Sequence, residues 1–329
     1  MKAWVLSKNG IDNLSLTEIE RPKIGRDQVL IKVKAVGLNP IDSMVVDFIP
    51  VSSPIIPGAE FSGEIAEIGE DVAGFNIGEK VTVYPRYFDG SCKYCLSGNE
   101  MLCDNGYIMG VSSNAGLAEY AAVDSKNVFK LPDKAGFETG ASLSVAALTS
   151  YNALERADLK KGEFIAVIGA GGNTGMFAIQ FAKKRGAKVI AVSSKGWLKE
   201  FGADYVVDYK NAAEEVKNIT DSAMADVVVD SIGEKLWGLG YSILGKGGRI
   251  VVFGTETGKD VNIDLSQLYS RQLKIIGSTG GAVHQFSEVV KNSSDLKVKV
   301  WKKFKFEDTK SAFQAMKDRN KDGRIIIEQ

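Results

Sequence analysis

Short segments in which apolar and polar residues alternate occupy the first third of the chain. Segments 28–37, 63–70 and 79–85 show this alternation, and glycines punctuate the stretches between them. Alternation at every second position is typical of a strand with one face in a core and the other in solvent. The pattern therefore predicts a β-rich module in the N-terminal part of the chain.

A different pattern begins at about residue 160, where residues 163–170 form a nearly continuous apolar run followed by the helix-like segment 174–186. Further apolar runs, with helical segments among them, lie at 188–194, 205–209, 225–232 and 248–254. Buried strands that alternate with helices predict a parallel sheet covered on both faces.

The last part of the chain, from about residue 283, returns to mixed character. Lysines alternate with apolar residues over 296–306, which predicts a half-exposed strand. An amphipathic helix that begins at residue 311 and a strand at 323–329 are predicted to end the chain.

The composition is that of an ordinary globular protein. The chain has 329 residues, enough for two domains, and its Lys plus Arg and its Asp plus Glu both total 41. This balance argues against a nucleic acid or an anionic membrane as partner. The N-terminus is too polar for a signal peptide, and no apolar run is long enough to span a bilayer. We therefore expect a cytoplasmic protein that acts on a small-molecule substrate.

All three cysteines lie within residues 88–103, with the spacing of a metal site that lacks one ligand. Cys92 and Cys95 form a CxxC pair whose thiolates can bind one tetrahedral zinc ion, and Cys103 follows them. Asp89 continues the same spacing on the N-terminal side, so its carboxylate is the candidate fourth ligand. Four protein ligands leave no open position, and we expect one structural zinc per chain. A loop of reduced thiols without metal is the alternative.

A glycine-rich turn follows the apolar run 163–170 and opens the next helix. Gly169, Gly172 and Gly175 are spaced three residues apart in this strand-turn-helix context. Such glycines permit a tight turn and let main-chain N–H groups approach a pyrophosphate at the helix N-terminus. The turn predicts a dinucleotide site that includes Gly172, Asn173, Thr174 and Gly175. A turn that serves only helix–strand packing is the alternative.

The second strand of this βαβ unit ends at Ser193, Ser194 and Lys195, where NAD-preferring folds place a carboxylate for the ribose hydroxyls. No carboxylate is there to repel a 2′-phosphate, and two hydroxyls and an ammonium group are available to bind one. This predicts NADPH as the cofactor. The alternative is that Lys195 is a solvated surface lysine.

Taken together, these motifs resemble the medium-chain dehydrogenase/reductase superfamily. They follow one another in the family's order over nearly the whole chain, as AVGLNPIDSMV, PGAEFSGEIAEIGEDVAGFNIGEKV, DGSCKYCLSGNEMLC, LTSYNAL, AGGNTG, GGRIVVFG and QLKIIGSTGG. The resemblance implies an α/β fold in which a Rossmann doubly wound parallel sheet is inserted into a GroES-like β-barrel catalytic domain. The implied divisions are a catalytic domain at 1–147 with a metal lobe at about 86–106, a Rossmann NADP-binding domain at 148–283, and a return to the catalytic domain at 284–329.

The same resemblance predicts that a catalytic zinc is absent. The family's zinc alcohol dehydrogenases hold that ion with a Cys, a His and a later Cys or acidic residue. The matching positions here are Asn39, Ala59 and about Val145, although Glu60, beside the missing histidine, remains. The single histidine, His284, lies far along the chain, and we expect it to be structural or exposed.

Without a Lewis-acidic ion, the easier reaction is hydride delivery to a carbon that is already electron-poor through conjugation. GLNPID resembles the zinc-free branch that includes quinone oxidoreductases and enoyl or acryloyl thioester reductases. We therefore expect an NADPH-dependent reductase of α,β-unsaturated carbonyls or quinones. The alternatives are an NADP-dependent alcohol or aldehyde dehydrogenase of the same superfamily and a non-catalytic NADPH-binding protein.

The resemblance also implies which residues lie near the reacting atoms, namely Asn39, Asp42 and Thr149. Asn39 is expected to donate an amide hydrogen bond to the substrate or the nicotinamide ribose; its alternative role is to stabilise a turn before Pro40. Thioester reductases often carry a proton-donating tyrosine near the position of Phe48, so Tyr84 or Tyr87 is expected to substitute, unless solvent supplies the proton.

Further cofactor contacts follow from the resemblance. Lys195, Tyr209 and Arg319 are expected around the 2′-phosphate, and Phe253, Gly254 and Ser278 elsewhere on the cofactor. The connection that follows, residues 193–204, is about one helical turn shorter than the resemblance leads us to expect, and such a shortening would shift Lys195. The resemblance also implies a homodimer or homotetramer, often formed through the sheet edge near residues 272–279.

Overall fold

The computed structural model describes residues 1–51, 53–318 and 320–329. They form two compact units. The first contains Met1–Leu148 and Gly281–Gln329, and the second contains Thr149–Gly280.

The N-terminal part of the first unit is rich in short strands, as the alternating pattern predicts. Its strands are β1 (Lys2–Leu6), β2 (Leu14–Glu18), β3 (Gln28–Gly37), β4 (Phe61–Ile68), β5 (Lys80–Val83), β6 (Arg86–Tyr87), β7 (Tyr107–Ile108), β8 (Tyr120–Asp124) and β9 (Val128–Lys130). Its helices are α1 (Pro40–Asp47), α2 (Lys93–Leu96) and α3 (Phe137–Gly140). Strand β3 covers the whole of the predicted segment 28–37.

The second unit contains a six-stranded sheet whose strands are all parallel. These strands are β10 (Phe164–Ile168), β11 (Lys188–Val192), β12 (Tyr205–Val207), β13 (Ala225–Asp230), β14 (Leu244–Val252) and β15 (Lys274–Gly277). The associated helices are α4 (Leu148–Arg156), α5 (Gly175–Lys184), α6 (Ala212–Ile219), α7 (Glu234–Ser242) and α8 (Leu265–Ser270). The strand order is β12-β11-β10-β13-β14-β15, which is the doubly wound arrangement of nucleotide-binding folds. The predicted parallel sheet is thus confirmed.

The final part of the chain completes the sheet of the first unit. It contributes helices α9 (Val283–Lys291) and α10 (Thr309–Met316) and strands β16 (Val300–Lys305) and β17 (Arg324–Glu328). The resulting seven-stranded sheet has the order β16-β17-β3-β4-β5-β9, with β8 also pairing with β3. Strand β16 is at the edge, where its lysines disfavour pairing with another chain.

The burial pattern follows the strand type. The central strands β10 and β13 are buried at nearly every position, because a parallel strand inside a layered fold has no solvent face. The shortened connection after β11 forms a 3₁₀-helix, Gly196–Phe201, which ends at Gly202 with a φ of 107°. It therefore spans the gap to β12 without an α-helix.

Candidate functional site

The glycine-rich turn joins β10 to α5 at the carboxyl end of the parallel sheet. Gly169 has a φ of +70°, and its carbonyl accepts a 2.9 Å hydrogen bond from the Gly172 N–H. A Cβ atom on Gly175 would lie only 2.5 Å from the Ala170 carbonyl oxygen. Glycine is therefore required where the helix begins close to the preceding strand.

Residues from the two neighbouring loops lie against this turn. A Cβ atom on Gly171 would be 3.0 Å from Lys195 Cγ and 3.2 Å from Ser193 Oγ. The hydroxyl of Tyr209 is hydrogen-bonded to the main chain of Gly169; burial raises the pKa of Tyr209 and this bond partly offsets the rise. The structure therefore brings Ser193, Lys195 and Tyr209 together at the glycine turn, while Ser194 is exposed.

The other predicted cofactor residues also follow strand ends at this edge of the sheet. Phe253 and Gly254 come directly after β14, and Ser278 comes directly after β15. The Ser278 hydroxyl accepts a 3.2 Å hydrogen bond from Asn152 Nδ2. Asn173 is largely buried, and the Thr174 carbonyl accepts a 2.7 Å hydrogen bond from the Ser150 hydroxyl. The predicted residue Arg319 lies outside the described residues.

The predicted metal ligands converge in the first unit. One ligand atom from each of Asp89, Cys92, Cys95 and Cys103 lies within 4.8 Å of the others. The Sγ atoms of Cys92 and Cys95 are 3.6 Å apart, and the Asp89 N–H points to Cys103 Sγ at 3.3 Å. Three sulfurs and a carboxylate in one cluster fit the tetrahedral donor set of a structural zinc.

The carboxylate of Asp89 is held in a defined orientation. Its Oδ1 accepts hydrogen bonds from the main-chain N–H groups of Ser91 and Cys92, and its Oδ2 accepts one from Asn105. These bonds hold the pKa of Asp89 well below its usual range, so the group is an anion. An anionic oxygen is the form that a zinc ion binds.

Asn39 belongs to a fully buried polar network in the first unit. Its Nδ2 donates to Glu60 Oε2 at 2.8 Å and to the Gly37 carbonyl at 3.1 Å, while its Oδ1 accepts from Arg324 Nη1 at 3.3 Å. Both amide hydrogens are thus directed to protein acceptors. The geometry argues against the substrate-donor role expected for Asn39, because no amide hydrogen is left for a ligand oxygen.

Glu60 is the centre of this network. Its Oε2 accepts a 2.5 Å hydrogen bond from Arg324 Nη2, and neither side chain has any solvent exposure. Its Oε1 accepts from the main-chain N–H groups of Val145 and Ala146, at 2.6 and 3.1 Å. These two residues belong to a π-helical turn, Leu143–Ala147, that leads into α4, so Glu60 neutralises a guanidinium and also caps a helical segment.

Asp42 and Tyr84 are also engaged by protein groups. Asp42 accepts main-chain hydrogen bonds from Asn39 and Ala59, and burial raises the pKa of Asp42 to about 6 against the effect of those bonds. The buried Tyr84 hydroxyl donates to the Gly281 carbonyl at 2.7 Å, and burial raises the pKa of Tyr84. Both side chains have structural roles here, which argues against Tyr84 as a proton donor. Thr149, in the second unit, stays partly exposed.

The pairing of Glu60 with Arg324 was not predicted from the sequence. The two residues are separated by 264 positions; Glu60 sits among apolar or small residues, and Arg324 directly precedes three isoleucines. The available signal was Arg324, a charged residue directly before the three isoleucines of β17. A charge in such a buried strand requires a partner. Identification of that partner required the fold. His284 was expected to be either structural or exposed, and its side chain is exposed.

Within the described part of the chain, no helix combines the length and apolar character that crossing a membrane requires.

Comparison with known proteins finds two matching family models and relatives that span nearly the whole chain. Residues 25–133 match the family described as alcohol dehydrogenase GroES-like domain, and residues 174–295 match the family described as zinc-binding dehydrogenase. A protein named NAD-dependent alcohol dehydrogenase, from Sulfolobus acidocaldarius, is 34% identical over 99% of both chains. A protein named acryloyl-coenzyme A reductase, from Sulfurisphaera tokodaii, is 30% identical over 95% of this chain and 95% of the relative.

Solved structures agree with this relationship. A thermostable alcohol dehydrogenase from Pyrobaculum aerophilum superposes with a TM-score of 0.92 at 37% identity, covering 100% of this chain and 99% of that one. A second structure of a thermostable alcohol dehydrogenase from that organism, described as cobalt and zinc bound, gives the same TM-score at 36% identity, with the same coverage.

Proposed function

The chain belongs to the zinc-type medium-chain dehydrogenase/reductase superfamily, and from this premise we propose that it is an NADPH-dependent reductase of α,β-unsaturated carbonyl compounds or quinones. The expected setting is the cytoplasm, and the expected assembly is a homodimer or homotetramer. The general assignment, an oxidoreductase of this superfamily without a stated substrate or cofactor preference, follows from the relatives alone.

The observation that carries the proposal is the chemistry at the three positions matched to catalytic zinc ligands. Ala59 and Val145 have no side-chain donor, and the Asn39 amide is committed to Glu60, Gly37 and Arg324. Glu60, the remaining anion, is neutralised by Arg324. Among the described residues, the one cluster of three or more His, Cys, Asp or Glu side chains that could hold a metal is the set in the metal lobe.

This arrangement favours substrates in which conjugation already makes the reacting carbon electron-poor. A developing negative charge on an enone, thioester or quinone is spread by conjugation, so hydride addition makes a smaller demand for a nearby Lewis acid than alcohol oxidation does. When bound, NADPH would supply the hydride. The chain's contribution would be to bind and orient the cofactor, and the proton would come from solvent.

The preference for NADPH rests on the residues at the glycine turn. The Ser193 hydroxyl and the Lys195 side-chain stem lie beside Gly171, and the Tyr209 hydroxyl is bonded to Gly169, so two hydroxyls and a lysine side chain belong to this turn. The strand β11 ends without the carboxylate that would accept bonds from the ribose and repel a 2′-phosphate. A cation with adjacent hydroxyl donors is the donor set that binds a phosphate monoester.

The metal lobe is proposed to hold one structural zinc through Asp89, Cys92, Cys95 and Cys103. The convergence of four ligand atoms within 4.8 Å supports this assignment. Four protein ligands would close the coordination sphere, so the ion would stabilise the lobe and take no part in hydride transfer.

A second candidate function is an alcohol dehydrogenase. It is favoured by the names of several relatives, among them the Sulfolobus acidocaldarius protein described as an NAD-dependent alcohol dehydrogenase. The relative named acryloyl-coenzyme A reductase favours the first candidate, since an acryloyl thioester is a conjugated acceptor.

Steady-state assays with matched substrates separate these two functions. The purified protein is incubated with NADPH and an unsaturated aldehyde, a quinone or acryloyl-coenzyme A, and with NADP or NAD and simple alcohols. We expect oxidation of NADPH with at least one conjugated acceptor. Turnover of ethanol or benzyl alcohol alone, with no activity on the conjugated panel, would overturn the reductase assignment.

A further inference from the structure

The metal lobe is bonded directly to the segment where the chain re-enters the first unit. Glu100 Oε2 accepts a 3.1 Å hydrogen bond from the main-chain N–H of Val283. Val283 is the first residue of α9, and an acidic group at a helix N-terminus satisfies a free N–H and interacts favourably with the helix dipole. Glu100 therefore caps α9 from outside the helix.

Glu100 is in turn linked to the proposed metal ligands. Its carbonyl oxygen accepts a 3.0 Å hydrogen bond from the Cys103 N–H, and Cys103 Sγ accepts one from the Asp89 N–H at 3.3 Å. Only two residues separate Glu100 from Cys103. A metal ion that holds Cys103 would therefore restrict the 3₁₀ turn, Glu100–Leu102, from which the capping carboxylate projects.

Tyr84, which lies just before the metal lobe in the chain, makes a second contact with the segment that contains Val283. The Tyr84 hydroxyl donates to the Gly281 carbonyl, and the Tyr84 ring lies 5.9 Å from the ring of Phe286 on α9. A Cβ atom on Gly281 would lie 2.5 Å from Leu148 Cδ1, so this glycine packs tightly where it stands. Residues 281–283 are thus held at two points, one at each side of Ala282.

Residues 281–283 follow Ser278, a proposed cofactor contact, closely in the chain. Ser278 precedes Gly281 by three positions, and its N–H donates to the Val252 carbonyl at the end of β14. Its hydroxyl is oriented by Asn152. We call residues 278–283 the return segment. Since the chain is continuous, a change in the freedom of residues 281–283 alters the freedom of Ser278.

We infer that Glu100 is a positioning residue through which metal binding in the lobe orders the return segment and strengthens NADPH binding. This inference rests on the proposed metal and cofactor sites and goes beyond them. It assigns the zinc a second role: the ion reduces the conformational freedom that cofactor binding would otherwise have to remove, which is positive coupling between two ligands.

The test uses the whole chain of 329 residues in five forms: zinc-loaded wild type, chelator-stripped wild type, and zinc-loaded Glu100→Ala, Glu100→Gln and Asp104→Ala. Asp104 is the matched control, since it is an exposed carboxylate in the same lobe. Zinc content, hydrogen–deuterium exchange of peptides covering 278–291, and the NADPH dissociation constant by fluorescence are measured for each. None of these readouts requires turnover.

Stripped wild type and zinc-loaded Glu100→Ala are expected to exchange faster over residues 281–287 and to bind NADPH about fivefold more weakly. Glu100→Gln keeps an acceptor for the Val283 N–H and recovers most of both properties, and Asp104→Ala behaves as wild type. With the acceptor identified in the substrate panel, Glu100→Ala raises the KM for NADPH and leaves kcat at saturating cofactor unchanged.

Wild-type exchange and affinity in zinc-loaded Glu100→Ala would overturn the inference, as would an equal effect in Asp104→Ala. Loss of zinc from Glu100→Ala would also count against it, since Glu100 would then support the lobe and not the return segment. A wild-type protein that takes up no zinc would contradict the metal assignment separately. Failure of the reductase proposal would be visible only in the substrate panel.

Discussion

Arg324 and Glu60 form an ion pair with a hydrogen-bond distance of 2.5 Å, and both side chains are completely buried. The pair joins β17, near the C-terminus, to the residue that directly precedes β4. Gly37 makes room for it, because a Cβ atom there would lie 2.3 Å from Arg324 Nη2. The pair stands beside Asn39, so the position matched to a catalytic zinc ligand is surrounded by a neutralised charge network.

Replacement of Glu60 by Gln should destabilise the first unit strongly. The substitution leaves a buried guanidinium without a counter-ion, and a loss of about 3–5 kcal/mol in the free energy of unfolding is expected. Urea unfolding followed by circular dichroism measures it. The control is Arg26→Ala, which breaks an ion pair with Asp71 whose side chains are 69% and 54% exposed; because solvent screens this pair, its loss should change the stability far less. Equal losses in the two variants would contradict the importance of the buried pair.

Lys195 should determine the choice between NADPH and NADH. In Lys195→Ala the KM for NADPH is expected to rise about tenfold, while the KM for NADH stays nearly constant, because the lost bond goes to the 2′-phosphate alone. The ratio of the two KM values is the measurement. Lys199→Ala removes an exposed lysine from the same connection and serves as control. An unchanged ratio in Lys195→Ala would mean that this lysine is a surface residue.

The fourth ligand of the metal lobe should be replaceable by a thiolate but not by a methyl group. Wild type is expected to retain about one zinc per chain after dialysis against a mild chelator. Asp89→Cys should retain it as well, and Asp89→Ala should lose most of it, since only three ligands remain. Elemental analysis gives the stoichiometry. Full retention by Asp89→Ala would show that the carboxylate is not a ligand, and two zinc ions per chain would falsify the structural-only assignment.

The ion pair between Glu163 and Arg249 should make the stability of the second unit depend on pH. Partial burial alone would raise the pKa of Glu163, but the two bonds from Arg249, at 2.9 and 2.7 Å, and a main-chain bond from Lys160 outweigh it and lower the pKa below its ordinary 4.5. A carboxyl with a lowered folded-state pKa stabilises the fold above its unfolded-state pKa and loses that contribution as the pH falls.

Glu163→Gln is therefore expected to be less stable than wild type by about 1–2 kcal/mol at neutral pH. The difference should shrink as the pH falls below 4.5, where the wild-type carboxyl becomes protonated and resembles the amide. Unfolding midpoints measured from pH 7 to pH 3 test this. A difference that grows on acidification would contradict the sign of the shift.

The edge strand β15 is expected to form a homodimer contact. Strand β15 has one neighbour in its sheet, β14. Apolar side chains near it are exposed, with Leu265 at 69%, Tyr269 at 75% and Ile275 at 37%. The double variant Leu265→Glu/Tyr269→Glu should reduce the mass measured by light scattering from a dimer or tetramer towards a smaller species. Ile77→Glu, which changes an exposed apolar residue of the first unit, is the control. A monomeric wild type would contradict the prediction.

The sequence by itself determined those features that depend on neighbours in the chain. Periodicity identified β3 and the buried strands β10 and β13, because the alternation or continuity of apolar residues reflects how many faces of a strand are buried. The glycine turn and the CxxC pair were equally readable, since a few residues in fixed spacing restrict where their atoms can lie.

Only the tertiary structure decided which polar groups have partners. It paired Glu60 with Arg324 across 264 positions, directed both amide hydrogens of Asn39 to protein acceptors, and gave the Tyr84 hydroxyl to Gly281. A hydrogen bond depends on distance and direction in space, and residues far apart in the chain meet those conditions only after the backbone has folded. The sequence could therefore name the candidate side chains, whereas the fold determined which of them have hydrogen atoms and lone pairs left for a ligand.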